Sequence, residues 1–132
     1  MLLDEITILF VDDDHNTRDM IGTLLKSYCE EVFLASDGIE GLKLYKEKKP
    51  DIVISDITMP NMCGLEMSQE IKKINPNQVI SLFTARENNS SKRRASKIGI
   101  DMFLQKPLDE EQFFNSLHYL AMSVEKDTEE VY

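Results

Sequence analysis

The sequence predicts a doubly wound α/β fold in which five helices cover a five-stranded parallel sheet. Two kinds of observation carry this prediction. Short apolar runs without polar alternation recur along the chain, as expected of strands that a parallel sheet buries on both faces. An amphipathic segment follows each run, and regular alternation of strand and helix is typical of an α/β sandwich.

The first unit begins with a predicted strand at residues 6–11, which is β-branched, apolar and followed directly by aspartates. The helix after it has Asn16 or Thr17 as its predicted N-cap, because both residue types favour that position. Apolar residues recur in this helix at helical spacing: Met20, Ile21, Leu24 and Leu25.

The second and third units repeat the arrangement. A strand at residues 32–35 leads through a turn at 36–38 into a helix that ends near Lys48. The third strand covers residues 52–54 and reaches Asp56. These boundaries follow from the change between continuous apolarity and a helical period.

The fourth and fifth units complete the predicted sheet. A helix begins near Leu65, the fourth strand at 79–83 ends at Thr84, and a polar helix ends near Gly99. The fifth strand at 102–104 is followed by a last helix, for which Asp109 is the predicted cap.

Domain organisation is predicted to be simple. Residues 1–124 form one domain, and residues 125–132 form an acidic C-terminal tail or the stub of a linker. The sequence contains no helix-turn-helix or other DNA-binding segment. We expect either a protein of a single domain or, slightly favoured because the tail resembles an unfinished linker, one domain of a longer protein.

Composition narrows the function classes. The formal net charge of −9 argues against a bare nucleic-acid binder, which needs a basic surface to neutralise phosphates. No apolar run approaches the roughly 20 residues of a membrane span, and the first residues carry no export signal. We therefore expect a cytoplasmic protein without membrane contact. Cys29 and Cys63 show no metal-ligand spacing and are expected to be reduced thiols.

Chemically active side chains are expected at one edge of the sheet, because open parallel sheets bind ligands beyond the carboxyl ends of their strands. The first strand delivers Asp12, Asp13 and Asp14 to this edge. The third ends at Asp56, the fourth at Thr84, and the fifth leads to Lys106. Clustered carboxylates disfavour one another's ionisation unless a cation joins them, and Mg²⁺ prefers such oxygen ligands. With a lysine and a hydroxyl nearby, this set predicts a phosphoryl-binding site.

Three segments carry motifs at this edge: ILFVDDD at residues 8–14, DIVISDITMP at 51–60 and LQKP at 104–107. In this order they resemble response-regulator receiver domains of two-component signal transduction, including the chemotaxis receivers. The resemblance covers about residues 6–124. It implies a flavodoxin-like sheet with the strand order 2-1-3-4-5.

The resemblance implies a role for each acidic residue. Asp56 is implied to be the phosphoacceptor, a nucleophile that becomes an acyl phosphate. Asp13 is implied to bind Mg²⁺, or Mn²⁺, directly, and Asp12 directly or through a coordinated water. Asp56 itself and the backbone carbonyl of Thr58 are the further implied metal ligands.

The resemblance also implies a switch. Lys106 is expected to neutralise one phosphoryl oxygen and Thr84 to donate a hydrogen bond to another. Phe103 matches an aromatic position that changes orientation on activation, and the bond before Pro107 is implied to be cis. The change would alter a surface formed by the fourth helix, fifth strand and fifth helix.

Partners are implied in the same way. The phosphoryl donor would be a sensor histidine kinase, a histidine phosphotransfer protein or acetyl phosphate. The output would be a downstream protein or a missing output domain, with the chain monomeric or dimerising on phosphorylation. The chain would be a signalling phosphoacceptor rather than an enzyme, since it assists only its own phosphorylation and dephosphorylation.

Several polar residues have no predicted role in the site. Asp14 is expected to be exposed, and His15 and His118 are lone histidines. Basic residues of the fourth helix form either a solvated face or a docking surface for an acidic partner: Lys92, Arg93, Arg94 and Lys97.

Two positions differ from rapidly hydrolysing members of the family. Thr58, two residues past Asp56, and Arg86, two past Thr84, stand where those members carry an amide and an acid. In the family, the side chains at these two positions place or block the water that hydrolyses the acyl phosphate. We therefore expect an acyl phosphate that lasts longer than in the fast chemotaxis receivers.

Three other functions are considered. A magnesium-dependent aspartyl phosphohydrolase would need an acid where Thr58 stands. A flavin-binding module would need a phosphate-cradling loop rich in Gly, Ser and Thr where residues 12–14 are acidic. A receiver-like scaffold that is never phosphorylated would have no need of the intact acids, hydroxyl and lysine.

Overall fold

The computed structural model of the chain describes residues 2–84, 89–100, 102–106 and 109–124. In these residues a five-stranded sheet has the order β2-β1-β3-β4-β5, and all neighbouring strands are parallel. The predicted fold class and the implied strand order are thus confirmed. A short 3-10 helix at Leu3–Glu5, which the sequence pattern did not predict, precedes the sheet.

Strands and helices alternate along the described chain. The strands are β1 (Thr7–Val11), β2 (Glu31–Ala35), β3 (Ile52–Asp56), β4 (Val79–Thr84) and β5 (Phe103–Gln105). The helices are α1 (His15–Lys26), α2 (Gly38–Lys48), α3 (Gly64–Ile74), α4 (Asn89–Lys97) and α5 (Glu110–Ser123). Each predicted element is present, with ends that differ by a few residues. Ile6 and Met102, for instance, lie just before β1 and β5 instead of within them.

The hydrophobic core lies on both faces of the sheet. On one face Ile8 and Phe10 of β1 belong to a buried cluster with Leu117 of α5. On the other face Leu9 of the same strand packs in a second cluster with Ile71 of α3. Successive strand residues point to opposite faces, so a strand buried on both sides must be apolar throughout. This explains why the runs show no alternation.

The N-cap of α1 is Asp14, and the prediction of Asn16 or Thr17 was wrong. The Asp14 carboxylate accepts hydrogen bonds from the Thr17 backbone N at 2.9 Å and from its Oγ1 at 2.6 Å. These bonds, the one from the Thr17 hydroxyl most of all, lower the pKa of Asp14. Aspartate is as good an N-cap as asparagine, so the helix begins at the end of the acidic run. Asp14 is exposed, as predicted, and Asp109 caps α5, as predicted.

Both cysteines are free thiols, as predicted. Within the described residues, no helix combines the length and apolarity that crossing a bilayer requires. The Lys106–Pro107 bond, Arg86 and the tail at residues 125–132 lie outside the described part of the chain.

Candidate functional site

Three carboxylates meet at the carboxyl edge of the sheet. Asp12 and Asp13 directly follow β1, and Asp56 is the last residue of the adjacent β3. Val11 is in register with Ser55, so the two strands end together. As a result, one oxygen from each carboxylate can lie within 4.8 Å of the other two.

Asp12 is fully buried, and its two carboxylate oxygens differ. Oδ1 accepts a hydrogen bond from the Asp14 backbone N at 2.9 Å. Oδ2 is buried and has no hydrogen-bond partner among the described residues. Burial, and to a smaller degree the neighbouring charge of Asp56, raises the pKa of Asp12. A buried, unpartnered carboxylate oxygen destabilises a fold unless a cation binds it, so this donor set fits a hard divalent ion.

The backbone of Asp12 is fixed from two sides. Its carbonyl accepts a hydrogen bond from Arg18 Nη1 at 2.7 Å, and its N donates to the Ala35 carbonyl at 3.1 Å. Arg18 was not among the predicted site residues. Arg18 lies in the first turn of α1, where its guanidinium reaches back to the end of β1.

Asp56 is partly accessible, with 17% of its side chain exposed. Its Oδ1 accepts a hydrogen bond from the Ile57 backbone N at 2.8 Å. Its Oδ2 lies 3.3 Å from Nζ of Lys106, whose side chain is 30% exposed. One carboxylate oxygen thus contacts the chain's own backbone and the other contacts a cation.

Lys106 reaches Asp56 because β4 and β5 end next to each other. Its backbone N donates to the Thr84 carbonyl at 2.8 Å. Its Nζ lies 5.5 Å from the centroid of the Phe83 ring. Thr84, the last residue of β4, is partly buried at the same edge of the sheet. The predicted lysine and hydroxyl therefore lie on the same edge as the acids.

Two further predicted residues lie around this centre. Thr58 has an exposed side chain in the loop between β3 and α3, two residues past Asp56. Phe103 is half-buried at the start of β5, and Nζ of Lys92 lies 5.4 Å from the centroid of its ring. Lys92 thus bridges the basic run of α4 to the predicted switch residue.

Known proteins are similar to this chain in sequence and in fold. Residues 8–118 match the family model of the response regulator receiver domain. The chain is 37% identical over 115 residues to the chemotaxis protein CheY of Thermotoga maritima, covering 86% of this chain and 96% of that protein. It is 33% identical over 110 residues to the transcriptional regulatory protein GlrR of Escherichia coli (strain K12), covering 83% and 25%. The chain thus spans only a quarter of the length of GlrR.

Solved structures agree. The Vibrio cholerae chemotaxis protein CheY4 matches with a TM-score of 0.82 at 28% identity, covering 88% of this chain and 98% of that one. The N-terminal domain of an uncharacterized protein from Wolinella succinogenes matches with a TM-score of 0.82 at 31% identity, covering 89% and 94%. Receiver domains are signalling modules that interact with histidine kinases and downstream effectors and bind Mg²⁺ at an acidic pocket. The chain belongs to the response regulator receiver domain family.

Proposed function

We propose that the chain receives a phosphoryl group on Asp56 with the help of Mg²⁺, or Mn²⁺, and thereby changes its affinity for a protein partner. The observation that carries this proposal is the meeting of acids and lysine at one edge. Carboxylate oxygens of Asp12, Asp13 and Asp56 lie within 4.8 Å of one another, and Lys106 lies 3.3 Å from Asp56. The family's phosphoacceptor role in two-component signalling supports it.

The metal would be held by Asp12, Asp13, Asp56 and the backbone carbonyl of Thr58. When bound, it supplies positive charge that neutralises the carboxylates and the phosphoryl oxygens. Oδ2 of Asp12 supports this assignment, since a buried carboxylate oxygen needs a partner and none of the described residues supplies one. Asp13 is exposed, so its carboxylate reaches the pocket from the solvent side.

In the transfer step, a carboxylate oxygen of Asp56 attacks the phosphorus of a phosphohistidine or of acetyl phosphate. The P–N or P–O bond breaks, and its electron pair leaves with the imidazole or the acetate. Lys106 neutralises charge on one phosphoryl oxygen, and the Thr84 hydroxyl donates a hydrogen bond to another. Such transfer depends mainly on positioning and charge stabilisation, which these groups supply.

The output would follow from local rearrangement at β4 and β5. Thr84 would move towards the new phosphoryl group, and Phe103 would turn into the space that it leaves. Because Lys92 lies over the Phe103 ring, this turn would break a contact with α4. The altered surface of α4, β5 and α5 would bind a downstream protein or an output domain, or a second copy of the chain.

Binding of beryllium fluoride, which imitates a phosphoryl group on a carboxylate, tests the proposal. We expect fluorine NMR signals of bound beryllium fluoride that require Mg²⁺ and disappear in Asp56→Asn. A matched Asp19→Asn variant changes an exposed acid of α1 that pairs with His15 at 3.2 Å, and it should keep the signals. Absence of bound signals in the unmodified chain would favour a receiver-like scaffold that is not phosphorylated.

A further inference from the structure

We propose that Asp37 and Asn61 form a tie that positions the metal-binding carbonyl of Thr58. The inference rests on the proposed function, because it assigns positioning residues to the same metal site. The tie is a single hydrogen bond, in which Asn61 Nδ2 donates to Asp37 Oδ2 at 2.7 Å. It joins the loop that follows Asp56 to the turn between β2 and α2. The two bonded residues are 24 positions apart in the sequence.

The two carboxylate oxygens of Asp37 accept hydrogen bonds from different parts of the chain. Oδ1 accepts a hydrogen bond from the Glu40 backbone N at 2.8 Å and so caps α2. Oδ2 accepts from Asn61. The bond from Glu40 first, and then the bond from Asn61, lower the pKa of Asp37, so the tie is made to a charged carboxylate. Helix capping needs only one oxygen. The second oxygen therefore has a partner outside its own helix.

Asn61 is held in an uncommon backbone conformation, with φ of 69°. Asparagine tolerates this left-handed region better than most residues, and a side-chain hydrogen bond helps to fix it there. Next to it, the Gly38 backbone N donates to the Met62 carbonyl at 3.1 Å. A Cβ on Gly38 would overlap that carbonyl oxygen, so the turn and the loop lie in direct contact. The tie is therefore part of a packed junction.

The loop that carries Thr58 is fixed at both ends. At its start, the Ile57 carbonyl accepts a hydrogen bond from the Gly64 backbone N at 2.7 Å. Towards its end, Asn61 and Met62 contact Asp37 and Gly38. Thr58 lies between these two attachments, and its side chain is exposed. Met59 beside it is buried in the core, so the packing of Met59 and the hydrogen bonds at the loop ends together fix the Thr58 carbonyl.

The same turn also reaches the other half of the metal site. The Ala35 carbonyl, at the end of β2, accepts a hydrogen bond from the backbone N of Asp12 at 3.1 Å. Residues 35–38 thus contact Asp12 on one side and the Thr58 loop on the other. Metal sites depend on groups that orient their ligands, and ligands fixed in advance bind more tightly. The turn after β2 is suited to set the distance between the two ligand-bearing segments.

A double-mutant cycle tests the tie. Asp37→Ser keeps an oxygen that caps α2 but loses the acceptor for Asn61, and Asn61→Gly keeps the positive φ but loses the donor. We measure the Mg²⁺ dissociation constant by titration calorimetry for both single variants and the double variant. Each single variant should bind Mg²⁺ about tenfold more weakly, the lower end of the effect of removing an orienting group. The double variant should be no weaker than the weaker single variant.

A matched control separates positioning from stability. Asp51 Oδ2 accepts hydrogen bonds from Thr7 N at 2.9 Å and Thr7 Oγ1 at 3.3 Å where β1 and β3 begin, at the edge of the sheet opposite the metal site. Asp51→Ala should therefore lower the melting temperature while leaving the Mg²⁺ dissociation constant unchanged. Phosphorylation by acetyl phosphate should also be slow in the tie variants at low Mg²⁺ and recover at saturating Mg²⁺.

The possible results separate a failure of the Asp37–Asn61 proposal from a failure of the proposed metal and phosphoryl site. Unchanged Mg²⁺ affinity in both single variants, or an effect of Asn61→Gly that persists in full in the Asp37→Ser background, overturns the tie alone. The latter result would mean that glycine loosens the loop by itself. A wild-type chain that binds neither Mg²⁺ nor a phosphoryl group overturns the proposed function, and the tie with it.

Discussion

Nζ of Lys106 lies 3.3 Å from Oδ2 of Asp56, although Asp56 ends β3, Lys106 follows β5, and β4 lies between these two strands. The backbone of Lys106 is fixed to the Thr84 carbonyl at the end of that intervening strand. The lysine thus already contacts the proposed nucleophile without a phosphoryl group. In the proposed transfer, the Lys106 ammonium would leave the Asp56 carboxylate and contact a phosphoryl oxygen, so it would stay beside the reacting atoms before and after the step.

The first prediction concerns the buried charge of Asp12. Asp12→Asn should stabilise the metal-free chain by about 1 kcal/mol, because it removes a desolvated carboxylate whose Oδ2 lacks a partner among the described residues. The variant should lose the stabilisation that Mg²⁺ gives to the unmodified chain. Urea unfolding with and without Mg²⁺ measures both effects. A variant that is less stable without metal and still gains from Mg²⁺ would contradict the assignment of Asp12.

The second prediction concerns Gly64. A Cβ at this position would overlap the carbonyl oxygen of Asp56, so Gly64→Ala must displace β3 or α3. We expect a loss of about 2 kcal/mol or more in the free energy of unfolding, together with weaker phosphorylation. Gly22→Ala is the control, since its Cβ would meet only a flexible Leu34 side chain, at 3.0 Å, and alanine favours the helix. Equal effects of the two substitutions would contradict this account.

The third prediction concerns the two thiols. Burial raises the pKa of Cys29 to about 11, whereas Cys63 is half-buried at the N-terminus of α3. Iodoacetamide at mildly alkaline pH should therefore label Cys63 well before Cys29 in the folded chain, and both in denaturant. A raised thiol pKa contributes stability below the unfolded value, near 9.0, that is lost as pH rises through about 11. Rapid labelling of Cys29 in a Cys63→Ser variant would show that it is accessible.

The fourth prediction concerns the lifetime of the acyl phosphate. Thr58 and Arg86 stand where fast members of the family carry an amide and an acid that assist the attacking water. The phosphorylated chain should therefore decay with a half-life of minutes or longer once the donor is removed. Thr58→Asn combined with Arg86→Glu should shorten it. A half-life of seconds in the unmodified chain would refute the prediction.

The sequence was sufficient to predict the sheet and the residues at its carboxyl edge. Each strand is an apolar run, and strand ends in a parallel sheet lie along one edge, so the positions of Asp12, Asp56 and Thr84 followed from where the strands end. Lys106 was located in the same way. These predictions needed no knowledge of side-chain contacts.

Contacts that depend on helix starts and loop geometry could not be predicted in this way. Asp14 competes with Asn16 and Thr17 as an N-cap, and all three types favour that position. The bond from Arg18 to the Asp12 carbonyl joins the first turn of α1 to the end of β1, and no periodicity in the sequence indicates it. The Asp37–Asn61 bond joins residues of two separate loops, and no periodicity in the sequence connects them.

Helix patterns also overstated burial. Met20 and Ile74 fall on the apolar side of their predicted helices, yet they are 56% and 52% exposed. A helical period indicates a face but does not fix how far the core extends along it, because the extent depends on which elements pack against the helix.

The central claim is that Asp56 accepts a phosphoryl group in a reaction that needs a divalent cation. Intact-mass spectrometry after incubation with acetyl phosphate and Mg²⁺, with Asp56→Asn in parallel, tests it most directly. The account predicts one added phosphoryl group on the unmodified chain, lost when Mg²⁺ is removed and absent from the variant. An unmodified chain that gains no phosphoryl group, or a variant that gains one equally well, would contradict the account.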